Sequence, residues 1–269
     1  MIEILQAIFL GVVEGFTEFL PISSTGHLIV SERVIGYKDT AEIFTIVIQM
    51  GAIGAVIWFY RSDLIKKIVG LVKRDKKTLK FWANWIIATI PAGLAGFFLK
   101  DQLSKYAVVW VIAVALIVGG ILIWLIENYH KAPKNDKTLP KFDELTPARA
   151  VRVGLYQILA LVPGVSRSGA TIMGGLLSGL DRVTATTFSF YLSIPIIVLA
   201  GSYQLFKGRH ELATVSGGAL ALVVGTVVSF VTALIAIKWL LRYVSTNNFK
   251  FFAYYRIIIG CLLLVAFYL

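Results

Sequence analysis

Eight apolar stretches account for most of this 269-residue chain, and six of them are long enough to cross a lipid bilayer unbroken. A transmembrane helix needs about 20 mainly apolar residues. Residues 41–60, 81–99, 107–126, 184–206 and 251–269 meet that length, while 212–241 exceeds it and is expected to tilt or overhang. Hydrophobic residues make up 58% of the chain and charged residues 15%, against about 45–50% and about 25% in soluble domains. That much apolar surface has no place in water. The expected class is an all-α polytopic membrane protein.

The other two stretches are apolar but interrupted. Residues 2–36 break at Pro21-Ile22-Ser23-Ser24-Thr25-Gly26-His27, and 148–180 break at Pro163-Gly164-Val165-Ser166-Arg167-Ser168-Gly169. With a one-residue gap the two breaks align. Upstream of them Gly11 pairs with Gly154; downstream, Phe44 falls 18 residues after Gly26 and Phe188 falls 19 after Gly169. The chain therefore reads as two repeats, 1–130 and 147–269, joined by a polar linker at 131–146 that holds Pro133 and Pro140. If each broken stretch is a re-entrant helical hairpin, each repeat adds three transmembrane helices. An odd number of crossings inverts the second repeat relative to the first. Inverted repeats whose broken helices meet near the midplane are a recurring membrane architecture, because non-helical backbone at that depth must be enclosed by protein or a water-filled cavity.

Charge supplies the orientation. The net charge is +11, which in a soluble chain would suggest nucleic acid. Here eight basic residues fall within 61–80, and six (Lys131, Lys134, Lys137, Lys141, Arg149, Arg152) within 127–152. Basic loops stay cytoplasmic and face anionic headgroups, so the termini and the first hairpin are expected on the outer side. The start of the chain lacks a basic region before Arg33, so no cleavable signal peptide is expected. Cys261 is the only cysteine, which excludes an internal disulfide.

Glu14 and Glu18 stand four residues apart on an apolar helix, which puts both carboxylates on one face. An ionisable group at mid-membrane costs about 2.5–3.5 kcal/mol on insertion scales, so two together call for a metal, a proton or a basic partner. A water-filled vestibule or a neighbouring arginine is the plainer alternative. Hard oxygen ligands suit Mg²⁺ or Ca²⁺. Ser23, Ser24 and Thr25 provide hydroxyls at a new helix start, where anions such as phosphate are favoured, although Ser and Thr are also ordinary caps. His27 is the one histidine inside an apolar stretch, whereas His130 and His210 fall at span ends. Arg167, flanked by Ser166, Ser168 and Thr171, has the donor geometry for phosphate. Two carboxylates, an imidazole, an arginine and several hydroxyls suit phosphoryl transfer, in which positive charge offsets the phosphate oxygens. Gly11/Gly15 and Gly175/Gly179 read as close helix-packing sites, and Pro91 and Pro195 as kinks.

The run from Glu14 through Phe16, Glu18 and Pro21 to His27 resembles the first signature of the undecaprenyl-pyrophosphate phosphatase family, the bacitracin-resistance family; the run Pro163 to Thr171 resembles its second, and Phe44 to Gly54, with Gln49, is also similar. The resemblance runs essentially end to end. It implies hydrolysis of undecaprenyl pyrophosphate to undecaprenyl phosphate and inorganic phosphate, which recycles the carrier lipid for peptidoglycan synthesis and confers bacitracin resistance. It also implies a divalent cation, a bacterial inner-membrane location with the site open to the outer face, and the inverted-repeat, re-entrant architecture. On this reading Glu14 and Glu18 handle metal and protons. Arg167, Ser166, Ser168 and Thr171, with Ser23 and Thr25, hold the pyrophosphate. The nucleophile is either Ser24 with His27 as base, or His27 itself. The expected partners are the lipid substrate and the bilayer, with no nucleic acid; a homodimer is compatible with the sequence. The rival class is a lipid-phosphate transporter or flippase of the same inverted-repeat design, which would need a sealed membrane where a phosphatase would not.

Overall fold

The computed structural model describes residues 1–39, 42–129 and 145–268, apart from the side chains at 100, 101, 213 and 268. Among the described residues there are eleven α-helices and a few 3₁₀ turns, and no strand. The expected all-α membrane class holds. The first half comprises α1 (Ile2–Thr17), α2 (Ser24–Ile35), α3 (Ile43–Phe59), α4 (Arg61–Val72), α5 (Lys76–Leu103) and α6 (Val109–Tyr129). The second comprises α7 (Pro147–Ile158), α8 (Arg167–Leu177), α9 (Arg182–Lys207), α10 (Gly218–Val244) and α11 (Lys250–Tyr268). Helices α5, α6, α9, α10 and α11 are long and apolar enough to span a membrane, and the bent pair α3–α4 makes a sixth candidate. Their outward faces carry Phe97, Phe98, Leu199, Phe206, Val223 and Ile258, all exposed, which only an apolar solvent tolerates in such numbers.

Both interrupted stretches fold as pairs of short helices, α1–α2 and α7–α8, as the breaks require. The halves then exchange partners. Helix α1 of the first half packs on α10 of the second, α7 of the second packs on α5 of the first, and α6 packs on α11. The two glycines matched in the sequence make these contacts. A Cβ on Gly11 would lie 2.6 Å from the Gly225 carbonyl oxygen, and one on Gly154 would lie 2.6 Å from that of Ala88. Either distance is a clash, so only glycine permits the backbones to approach this closely.

Some element boundaries differ from the expectation. The basic segment 61–80 reads as a loop in the sequence, but α4 occupies most of it and turns 71° from α3. Its exposed Ile65, Ile68, Val69 and Val72 follow the i, i+3, i+4, i+7 spacing of an amphipathic helix. The span expected at 212–241 begins later, because residues 209–214 form 3₁₀ turns and Gly217 and Gly218, at φ 80° and 62°, turn the chain before α10. Gly175 packs closely on Ala185, but Gly179 lies past the end of α8 at φ 81° and serves the turn, not a helix contact. Pro91 and Pro195, read as kinks, lie inside α5 and α9. His130 and most of the expected linker, including Lys131, Pro133, Lys134, Lys137, Pro140 and Lys141, lie outside the described residues; at the linker's end, Thr146 caps α7 by accepting a hydrogen bond from the Arg149 amide.

Candidate active site

The two breaks are built alike and touch each other. Ser23 and Ser166 each precede a helix at positive φ, 72° and 77°, and each hydroxyl accepts from the amide three residues on: Gly26 at 3.3 Å and Gly169 at 3.1 Å. A non-glycine residue held at such a φ costs of order 1–3 kcal/mol, and such strain clusters at functional sites. The Ser168 hydroxyl donates to the Leu20 carbonyl at 2.7 Å, which ties the second break to the first.

Arg256 of α11 completes the junction. It is fully buried, and its guanidinium donates five hydrogen bonds, all to backbone carbonyls: Pro21 and Val165 at 3.0 Å, Ala115 at 3.0 Å, Gly164 at 3.1 Å and Leu116 at 3.3 Å. Pro21, Gly164 and Val165 lie in the breaks, outside any helix, while Ala115 and Leu116 lie within α6. An unpaired carbonyl in hydrocarbon costs free energy, and one planar donor set satisfies both breaks at once. Gly119 of α6 makes room for it, since a Cβ there would strike the guanidinium. Arg256 is not among the candidates named from the sequence. The signal was present, however: a lone arginine inside an apolar span carries the same implication as Glu14.

The reactive groups gather beside this junction. Glu18, buried at the end of α1, receives three donors: Ser24 Oγ at 2.5 Å and Gln49 Nε2 at 3.4 Å on one oxygen, and Arg167 Nη2 at 3.2 Å on the other. The Arg167–Glu18 pair joins the two halves and is nearly enclosed. Arg167 also donates from Nη1 to the Ser189 carbonyl at 2.9 Å, and its Nε has no hydrogen-bond partner. Glu14 is wholly buried, and neither of its carboxylate oxygens has a hydrogen-bond partner. His27 does not reach Ser24 in a hydrogen bond; its Nδ1 lies 2.8 Å from the Ser23 carbonyl and its Nε2 2.8 Å from the Tyr255 hydroxyl.

The structure thus brings together Glu18, Ser24 and Arg167 by direct contact, with Gln49 and Ser189 added. Four of the remaining hydroxyls make hydrogen bonds within the fold. Ser23 and Ser166 cap helices, Ser168 crosses to Leu20, and Thr171 donates within α8 and toward Ser189 Oγ at 2.7 Å. Thr25 is exposed. No group of three or more histidine, cysteine or acidic residues placed to hold a metal occurs among the described residues.

A buried nucleophile-type hydroxyl on a carboxylate, with an arginine across it and a second carboxylate free, is equipment for moving a phosphoryl group. Known proteins agree with that chemistry. The family model for bacitracin resistance protein BacA matches residues 7–262. The chain is 45% identical over 269 residues to undecaprenyl-diphosphatase 1 of Burkholderia ambifaria, covering 99% of this chain and 96% of the relative. It is 45% identical to the undecaprenyl-diphosphatase of Methylobacillus flagellatus, covering 97% of each, and 41% identical over 263 residues to that of Neisseria gonorrhoeae, covering 97% and 94%. Near-complete coverage at this identity, on a site whose two signature runs form one cluster, makes the chain a member of the bacitracin resistance protein BacA family.

Proposed function

We infer that this chain is an integral-membrane phosphatase that hydrolyses undecaprenyl pyrophosphate to undecaprenyl phosphate and inorganic phosphate, the activity its relatives' names carry. The observation that carries the reading is the Ser24–Glu18–Arg167 cluster, which places a hydroxyl, its proton acceptor and a phosphate-binding cation within hydrogen-bond reach of one another.

The steps follow from those contacts. Incoming pyrophosphate competes with Glu18 for Arg167, because guanidinium and phosphate make charge-assisted paired bonds. Glu18, released, takes the Ser24 proton. Ser24 Oγ bonds to the terminal phosphorus, the bond from that phosphorus to the bridging oxygen breaks, and the lipid monophosphate leaves. Water then attacks the phosphoserine and gives its proton to His27, while Glu18 returns the serine proton. Between the two alternatives for the nucleophile, the geometry favours Ser24, but with Glu18 as its base and not His27.

A divalent cation fits the carboxylates. Glu18 is occupied by three donors, whereas Glu14 is buried without one, a costly state for a carboxylate unless a cation or proton meets it. Glu14, with Glu18 beside it, would hold Mg²⁺ or Ca²⁺, the remaining ligands being water and substrate oxygens, as Mg²⁺ commonly accepts. When bound, the ion offsets charge on the pyrophosphate. Chelation with EDTA is expected to lower turnover at least tenfold, with recovery on adding Mg²⁺ or Ca²⁺ back.

The two halves, 1–130 and 147–269, are read as inverted repeats joined by 131–146 in the bacterial inner membrane, with the basic segments cytoplasmic and the site open to the outer face. The matched breaks and the exchanged packing of α1–α10 and α7–α5 support this. Alone or as a homodimer, each chain carries the full set of site residues. The direct test uses purified protein in detergent with labelled undecaprenyl pyrophosphate. Release of phosphate without any sealed compartment supports the phosphatase; folded protein that releases none overturns it.

A further inference from the structure

Tyr255 reaches the site from α11, beside Arg256. Its hydroxyl lies 2.8 Å from His27 Nε2, and the two rings are near-parallel, 9° apart with centroids separated by 5.7 Å. On the opposite edge of the imidazole, Nδ1 lies 2.8 Å from the Ser23 carbonyl oxygen. A carbonyl oxygen can only accept, so Nδ1 carries the ring proton. In the neutral ring Nε2 then has a lone pair and no proton, and the Tyr255 hydroxyl is the donor. His27 is therefore held at both nitrogens. Around this pair is a recess between α2, α6 and α11, whose other walls include the apolar side chains of Val30, Leu116, Ile259 and Leu263. Ser31 is the other hydroxyl-bearing side chain of the lining.

We propose that Tyr255 is the positioning residue of His27: by donating to the Nε2 lone pair it fixes the Nδ1–H tautomer and the orientation of the ring, and it gives that lone pair up when His27 takes a proton. The role follows from geometry alone. A ring flip would bring a carbon into the place of Nε2 opposite the Tyr255 hydroxyl, and another into the place of Nδ1 opposite the Ser23 carbonyl, losing both bonds. An Nε2–H tautomer would set a lone pair against the Ser23 carbonyl oxygen. The backbone carrying that carbonyl is itself pinned at positive φ as the cap of α2, so Tyr255 is the adjustable half of the arrangement.

This inference rests on the role given to His27 above, and the experiment separates the two. Full-length protein in detergent is compared as wild type, Tyr255→Phe, His27→Gln and the double variant. Tyr255→Phe is expected to lower kcat about tenfold, a part of the ~10²–10⁴ that a proton-transfer group contributes, with KM within about twofold. In the His27→Gln background the same change is expected to alter kcat by less than about twofold, since coupled residues are not additive. Wild-type kcat in Tyr255→Phe, or an equal loss in both backgrounds, overturns the proposal. Wild-type kcat in His27→Gln instead overturns the role of His27. In that case, or if Tyr255→Phe fails to fold, the ¹⁵N resonances of His27 in wild-type protein decide: an Nδ1–H tautomer supports positioning by Tyr255, and an Nε2–H tautomer overturns it.

Discussion

Glu18 carries the largest share of the site's contacts, and its three donors come from α2, α3 and α8. Removing one partner of a buried ion pair strands the other, at a cost of about 3–5 kcal/mol. Glu18→Gln keeps the shape, loses the proton acceptor and is expected to lower kcat by at least about 10², read from initial rates of phosphate release. Arg167→Lys tests geometry apart from charge: the ammonium keeps the charge but not the paired donors, so kcat/KM is expected to fall at least tenfold, nearly as far as for Arg167→Ala. These residues were legible in the sequence because a charge in hydrocarbon demands a reason. Arg256 obeys the same rule but stands within an unbroken helix, where no proline or serine marks it. Tyr255 carries no such mark, since tyrosine is ordinary in membrane helices. Which hydroxyls cap helices and which meet Glu18 was also beyond the sequence, because Ser23 and Ser24 differ only in backbone angles and partners.

At the scale of elements, the paired breaks decide the architecture. Ser166→Gly is expected to cost only a few tenths of a kcal/mol, because glycine relieves the positive φ as it gives up the cap. Ser166→Ala keeps the strain, loses the bond and is expected to cost about 1–2 kcal/mol. Thermal unfolding of both variants in detergent checks the order. The proline-led interruptions were readable as helix ends, and their alignment exposed the repeat. The extent of α4 was not, because eight basic residues between two spans suggest a loop, and only the 71° turn lays its apolar stripe outward. The start of α10 was likewise hidden, since the apolar residues before Gly217 continue the hydropathy of the span while the glycines turn the backbone.

At the scale of the whole molecule, one guanidinium and two interlocked helix pairs hold the halves in register. Arg256→Met leaves carbonyls of both breaks unpaired and is expected to cost about 3–5 kcal/mol, with a lower unfolding temperature and loss of turnover together. Phosphoryl transfer belongs to this assembled state, because Glu18 and Ser24 come from one half and Arg167 from the other. The chemistry at their junction is tested most directly by parallel rapid acid and alkaline quenches, which preserve phosphoserine and phosphohistidine respectively, of wild type and Ser24→Ala during turnover of undecaprenyl pyrophosphate labelled in its terminal phosphate, followed by mapping of any label on the protein. Label on Ser24 in the wild type, absent from Ser24→Ala together with turnover, is the expected result. Label on His27, or undiminished turnover in Ser24→Ala, would contradict it.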